Sequence, residues 1–343
     1  MKHVLVTGGA GFIGSHLVER LVQDGHRVRV LDNLSTGRRE NLEHVKKLIT
    51  SVGQIDLQEG DVTDLNDVTQ ALDGIDWVFH LAALADIVPS IVNPMAYYQA
   101  NVSGTAMLVE GARNAGVKRF IYTASSSCYG IPDVYPTPEM SVIQPQYPYA
   151  LTKYLGEQLV MHWAQTYGLP VVSLRLFNVY GPRARTAGTY GAVFGVFLAQ
   201  KLQRKPYTVI GDGLQTRDFT FVTDVVNAFV KAAESDYAGE VFNVGSGGTY
   251  SINRLVELLG GTTISIPKRP GEPDCTFADI QKARDKLGWS PKVTFEEGVS
   301  MMLQHIHSWE EAPVWNPISI AKASADWFRY LGRETSKRER CEV

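Results

Sequence analysis

A short apolar run, Val4-Leu5-Val6, leads without a break into Thr7-Gly8-Gly9-Ala10-Gly11-Phe12-Ile13-Gly14. Gly8, Gly11 and Gly14 stand at G-x-x-G-x-x-G spacing, between a predicted strand and a predicted helix. Glycines so placed permit a tight turn, a close approach of backbone to a pyrophosphate, and close packing of helix on strand. The free N–H groups and the dipole of the helix N-terminus then favour the phosphates. The helix is legible from Phe12, Ile13, Leu17, Val18, Leu21 and Val22 at helical spacing, with Gly25 where it should stop. A glycine pattern alone arises by chance in many turns; in this strand–turn–helix setting it reads as a dinucleotide site.

The same alternation continues through the first half of the chain. Runs rich in β-branched residues predict strands over 4–7, 27–32, 55–59, 77–81, 120–124 and 171–175, separated by helical patterns. This is an α/β chain, a doubly wound parallel sheet of Rossmann type with a smaller α/β substrate-binding domain. A further helix should begin at Pro148 and stop at Gly168, with Pro170 beyond it. Past Asn178 the pattern loosens, and Gly, Pro and Arg are frequent over 180–191. The expected division is 1–177 for the dinucleotide domain and 178–343 mainly for the second domain, with 219–244 returning to the main sheet. The stretch 318–331 reads as an amphipathic helix in a C-terminal tail that carries Trp309, Trp315, Trp327, Phe328 and Tyr330.

Asp32 ends the second predicted strand, about 20 residues past the glycines, where a carboxylate accepts hydrogen bonds from the adenosine ribose. A 2′-phosphate would meet a like charge there, so NAD is favoured over NADP, with Arg38 and Arg39 the residues that would have to rescue NADP. Further on, Ser125 stands ahead of Tyr149-Ala-Leu-Thr-Lys153. Tyr149 and Lys153 are i and i+4 on a predicted helix and share one face. A free tyrosine ionises at about pH 10. A neighbouring ammonium and an oxidised nicotinamide favour the phenolate and fit Tyr149 to act as a general base. Ser125 would donate a hydrogen bond to the substrate oxygen. Arg217 and Arg269 are guanidinium forks suited to clamp a pyrophosphate.

These motifs, together with Asp32-Asn-Leu-Ser-Thr-Gly37, Gly60-Asp61-Val62, His80-Leu-Ala-Ala83, Asn101-Val-Ser-Gly-Thr105 and Arg175-Leu-Phe-Asn-Val-Tyr-Gly-Pro182, span nearly the whole chain. In them it resembles the extended short-chain dehydrogenase/reductases, specifically their nucleotide-sugar epimerases and dehydratases. The resemblance implies cofactor contacts from Gly8, Gly11, Phe12, Ile13, Gly14, Asp32, Asn33, Asp61, Val62, Leu81, Ala82 and Ala83, joined by Tyr149 and Lys153. Asp61 and Val62 would meet the adenine, and Ala82 and Ala83 the nicotinamide. Among the three serines it selects Ser125 as catalytic and leaves Ser126 and Ser127 facing the sugar or capping the strand end. Asn178, Arg217 and Arg269 would hold the diphosphate, and Thr276 would lie beside the C2 substituent of the sugar, leaving room for an N-acetyl group. Related dehydratases and decarboxylases carry an acid just after the catalytic serine or threonine. Ser126, Ser127 and Cys128 offer none, which points to epimerisation at C4. The tail over 310–343 departs from the family pattern.

Composition narrows the alternatives. Formal net charge is -3 with 20% charged residues, and no basic stripe suggests a nucleic-acid partner. Cys128, Cys275 and Cys341 show no metal-ligand spacing and read as reduced thiols of a cytoplasmic protein. The chain enters its first strand at once, with no room for a signal peptide, and no apolar stretch qualifies as a membrane span. The charge cluster over 337–342 is mixed in sign and reads as a solvated tail. Apolar Leu155, Leu159, Val160 and Trp163, with the resemblance, suggest a homodimer. Two other readings remain open: oxidoreduction, dehydration or epimerisation of a GDP-, CDP- or dTDP-sugar, and a nucleotide-binding regulator without turnover.

Overall fold

Six strands expected from β-branched runs form, with edges shifted by one or two residues at most. In the computed structural model, which describes residues 1–48, 54–185 and 190–332, they are β1 (His3–Thr7), β2 (Arg27–Asp32), β3 (Gln54–Glu59), β4 (Trp77–His80), β5 (Arg119–Ser125) and β6 (Val171–Leu176). A seventh, Glu240–Val244, pairs with β6, and all seven run parallel in the order Glu240–Val244, β6, β5, β4, β1, β2, β3. The register sets Thr7 of β1 beside Leu31 of β2 and His80 of β4, so the strand ends that carry the motifs align.

Strand alternation divides the core. Val4 and Val6 of β1, Ile121 of β5 and Val172 and Leu174 of β6 face one layer, which includes Leu17, Val18 and Leu21 of helix Phe12–Gln23 and Val225 and Phe229 of helix Val222–Glu234. Leu5, Phe120, Tyr122 and Val171 face the other, with Val68, Leu108 and Val160 from helices Leu65–Leu72, Gly104–Asn114 and Pro148–Tyr167. Both faces of the sheet are therefore covered, which is why its central strands carry apolar residues on both faces. Helix Pro148–Tyr167 opens on Pro148 and ends at Gly168, whose φ of 69° turns the chain out of the helix.

A third apolar cluster lies around Tyr180, Phe194, Phe197, Phe219 and Phe295. It is framed by two-stranded pairs: Asn178–Tyr180 with Phe219–Phe221, and Tyr207–Ile210 with Thr263–Ile266. Trp309, Ala312 and Ile320 of the tail pack into it. The stretch 318–331 is not one helix. It forms Pro317–Ala323 and Ala325–Leu331, broken at Ser324, because its two anchors sit on different walls. Ile320 fills the third cluster, whereas Trp327 is buried against Tyr147 and Pro270. The charge cluster over 337–342 and Cys341 lie outside the described residues. Of the four apolar residues read as a dimer face, Val160 belongs to the sheet layer, Trp163 packs beside it, and the Trp163 indole donates to Glu110. Only Leu155 and Leu159 keep partial exposure without such a role, near Leu151, which is 45% exposed.

Candidate active site

At the carboxyl ends of the strands lies a cleft of about 940 Å3, and every residue singled out above as a site residue lines it. The glycine turn forms its floor at one end. Gly8 adopts φ 69°, and a Cβ there would stand 2.7 Å from the Ala82 amide nitrogen; a Cβ on Gly14 would stand 2.1 Å from the Gly8 carbonyl oxygen. Both positions exclude a side chain, and together they leave the start of helix Phe12–Gln23 open to an anion. Asp32 is buried, and its carboxylate accepts from the Ala10 and Leu34 amides, both at 2.9 Å. Burial raises its pKa against those two bonds. Arg39 is paired with Glu59 and Arg38 donates to Asn41, so both guanidiniums named above as a rescue for a 2′-phosphate have partners in the protein.

Asn33 donates to Asp61 at 2.7 Å, and Asp61 accepts from the Thr63 amide and hydroxyl, both at 2.8 Å. Burial acts to raise the Asp61 pKa, but these bonds outweigh it and hold the carboxyl below its usual range. The Leu81–Ala83 segment is fixed from beneath. The Leu81 amide donates to the Thr7 carbonyl, and the Ala82 amide to the Thr7 hydroxyl at 3.2 Å. That hydroxyl meets His80 Nδ1 at 2.7 Å, while His80 Nε2 meets the Thr105 hydroxyl at 2.9 Å, which donates onward to the Asn101 carbonyl. This chain assigns the proton to Nε2. Burial, with Lys153 nearby, pushes His80 down to about 3, so the ring stays neutral. Asn101 sits in a π-helical turn, Gln99–Ser103, and clamps Leu84 through both its amide and its carbonyl.

Ser125 ends β5, and its hydroxyl accepts from the Ser127 amide and lies 2.8 Å from the Ser127 hydroxyl. Ser126 and Ser127 open the turn Ser126–Tyr129. Tyr149 and Lys153 share the cleft-facing side of helix Pro148–Tyr167. Burial raises the Tyr149 phenol and outweighs the hydrogen bond with Ser125 that lowers it, so the protein alone does not favour the phenolate expected from the neighbouring ammonium. Lys153 is 4% exposed, with its ammonium 4.5 Å over the Tyr122 ring. Burial pushes it down to about 7, against the pull of Glu157 one turn on. Glu157 is itself held by Arg175 at 2.6 Å and by Ser173 at 2.9 Å. Asp86, whose charge reaches Tyr149, is ion-paired with Arg185.

The other end of the cleft is cationic. Arg217 reaches Glu272 at 2.9 Å, and Arg269 stands 3.8 Å from the other oxygen of the same carboxylate. Glu272 thus sits between the two guanidiniums, where an anion with more charge would be attracted. Asn178 begins strand Asn178–Tyr180 and accepts from the Thr276 hydroxyl at 2.7 Å; that hydroxyl accepts from the Asp218 amide at 3.0 Å. Sequence reasoning passed over two cleft residues, Tyr147 and Tyr190, and named a third, Trp327, only as part of the tail. Tyr147 stacks on Tyr149 with centroids 6.4 Å apart, Tyr190 accepts from Arg269 at 2.6 Å, and Trp327 faces Arg269. Tyr190 and Trp327 have no local signal, because each meets Arg269 through tertiary folding; Tyr147 stands two residues before Tyr149, at the start of its helix. Among the described residues no group of His, Cys, Asp or Glu side chains is placed to hold a metal, and no helix is long and apolar enough to cross a membrane.

With this geometry in hand, likeness to known proteins is specific. The sequence model of the family described as GDP-mannose 4,6 dehydratase matches residues 5–302. The chain is 38% identical to a UDP-glucose 4-epimerase of Mycolicibacterium smegmatis, over 88% of this chain and 97% of that protein. It is 36% identical to UDP-glucuronic acid decarboxylase 1 of Arabidopsis thaliana, over 88% and 68%. The crystal structure of UDP-glucuronic acid 4-epimerase from Bacillus cereus, in complex with UDP-glucuronic acid and NAD, superposes with a TM-score of 0.82 at 33% identity, covering 89% of this chain and 99% of that one. The chain belongs to the extended short-chain dehydrogenase/reductase family, the family of the nucleotide-sugar epimerases and dehydratases.

Proposed function

We propose that this protein is an NAD-dependent nucleotide-sugar 4-epimerase, acting on UDP-glucose and UDP-galactose, on UDP-GlcNAc and UDP-GalNAc, or on both pairs. The observation that carries the reading is the convergence of Ser125, Tyr149 and Lys153 with the glycine cradle at one end of a single cleft and Asn178, Arg217 and Arg269 at the other. The cofactor is NAD: the cradle fits a pyrophosphate, and the buried Asp32 fits two ribose hydroxyls and repels a 2′-phosphate. When bound, NAD supplies a hydride acceptor that later returns the hydride.

The residues of the chain do the rest. Tyr149 takes the proton of the C4 hydroxyl and gives it back after the sugar has turned over in the cleft. Lys153, in its protonated form, supports the phenolate that bound oxidised NAD also favours, and Ser125 donates to the C4 oxygen as charge develops there. Arg217 and Arg269 hold the diphosphate, leaving the hexose free to present either face. Among the described residues no carboxylate follows Ser125 in the turn Ser126–Tyr129, and Asp86 is ion-paired with Arg185, which favours return of the hydride over loss of water. On this reading residues 1–177 with 219–244 serve the cofactor and most of the remainder serves the sugar nucleotide. The enzyme works in the cytoplasm as a homodimer built on the face of Leu151, Leu155 and Leu159.

Incubating the purified protein with the four UDP-hexoses, with UDP-glucuronic acid, and with GDP-, CDP- and dTDP-sugars tests the reading. The C4 epimer of a UDP-sugar should form without added reductant. Release of water or carbon dioxide, net formation of NADH, or no turnover of any sugar would replace it.

A further inference from the structure

The family match ends at residue 302, yet the tail beyond it is built into the cleft. Trp327, on helix Ala325–Leu331, is 2% exposed, and its indole N–H donates to the Pro270 carbonyl at 2.7 Å. That bond fixes the backbone beside Arg269. The Arg269 guanidinium lies 5.2 Å from the Trp327 ring and 4.8 Å from the Tyr190 ring, and donates to the Tyr190 hydroxyl at 2.6 Å. Trp327 also meets Tyr147, with centroids 6.1 Å apart, and Tyr147 stacks on Tyr149. One tail residue therefore touches both the arginine at the anion end and the aromatic stack that ends at the proposed base.

An arginine side chain is long and loses rotamer freedom when it binds an anion. Enclosure between two aromatic faces, with the neighbouring carbonyl tied down, removes that freedom before any ligand arrives, and cation–π attraction adds to it. We propose that Trp327 is a positioning residue for Arg269, and that the segment carrying it is a wall of the sugar-nucleotide site. The inference rests on the reading that Arg269 takes a phosphate of the nucleoside diphosphate, and it adds how this chain presents that group.

The test is a double-mutant cycle of Trp327→Leu and Arg269→Ala, read by KM and kcat for UDP-glucose, calorimetric Kd for UDP and for uridine, and bound NAD. Trp327→Leu should raise KM and the Kd for UDP by about 5- to 30-fold. It should leave the Kd for uridine and the NAD content unchanged. In the Arg269→Ala background it should add nothing, because its only route to the phosphate is gone. Trp327→Phe, which keeps an aromatic face but loses the indole N–H, should recover part of the affinity. It serves in the same cycle if the leucine variant does not fold. Equal effects with and without Arg269, or equal weakening of UDP and uridine, would overturn the proposal and leave the diphosphate reading intact. So would an unchanged KM in Trp327→Leu when Arg269→Ala raises it. An unchanged KM in Arg269→Ala itself would remove the diphosphate reading and this inference with it.

Discussion

Thr276 offers the sharpest test of sugar specificity, and the structure changes how that test must be built. Its hydroxyl donates to Asn178 at 2.7 Å and accepts from the Asp218 amide at 3.0 Å. Asp218 is fully buried, so its amide has no water to turn to when the hydroxyl is lost. Thr276→Val keeps the shape, removes the hydroxyl and leaves that amide unpaired, which costs about 1–3 kcal/mol. If the whole cost fell on the transition state, kcat/KM would drop about 5- to 150-fold, and by a similar factor for every sugar. Thr276→Tyr removes the same hydroxyl and adds a ring. Overfilling the pocket costs about 1–3 kcal/mol more, and that cost falls on the sugar with the larger C2 substituent. The ratio of kcat/KM for UDP-GlcNAc to that for UDP-glucose cancels the loss of the hydroxyl and isolates the volume. We expect this ratio to fall by about tenfold or more in Thr276→Tyr relative to Thr276→Val. Thr276→Ser, which keeps both hydrogen bonds, should leave it near the wild-type value. Steady-state kinetics on the two substrates with the four proteins decide the matter. A ratio in Thr276→Tyr equal to that in Thr276→Val would place the C2 group elsewhere and make Thr276 purely structural.

Other expectations follow from the same cleft. Tyr149→Phe should lower kcat by about 10²- to 10⁴-fold while UDP-sugar affinity changes little; near-normal turnover would mean that another group is the base. Denatured protein should release NAD and not NADP by chromatography, and Gly14→Ala, whose Cβ would sit 2.1 Å from the Gly8 carbonyl oxygen, should retain little of either. His80 is neutral when folded, ionising at about 3, and free to protonate when unfolded, so the unfolded state binds more protons as pH falls below 6.5. Between pH 6.5 and 5 this should remove about 2 kcal/mol of stability, a loss that urea titrations should find smaller in His80→Asn. Sedimentation at micromolar concentration should give a dimer that Leu151→Glu, on the exposed face of helix Pro148–Tyr167, converts to monomer without loss of fold; a monomeric wild type would remove that part of the proposal.

What the sequence determined by itself is whatever depends on neighbours along the chain. The glycine turn, Asp32 at the end of β2 and the i, i+4 pairing of Tyr149 with Lys153 were all legible, because a strand–turn–helix unit and a helix face place residues by counting. The β-branched runs predicted six parallel strands to within two residues, since both faces of that sheet are buried and its strands carry apolar residues on both. Tertiary structure alone decided the rest. Trp327, Tyr190 and Arg269 are far apart in sequence and meet through no period, so their sandwich is invisible to pattern. The helix expected over 318–331 breaks at Ser324 because Ile320 and Trp327 are drawn to different walls. Trp163 reads as surplus apolar surface until Glu110, on a neighbouring helix, accepts its indole proton. Thr276 reads as a pocket threonine, and only the approach of Asn178 and Asp218 shows that its hydroxyl also holds the backbone. In each case the deciding contact spans tens of residues, and its geometry exists only once the sheet and the third apolar cluster have packed against one another.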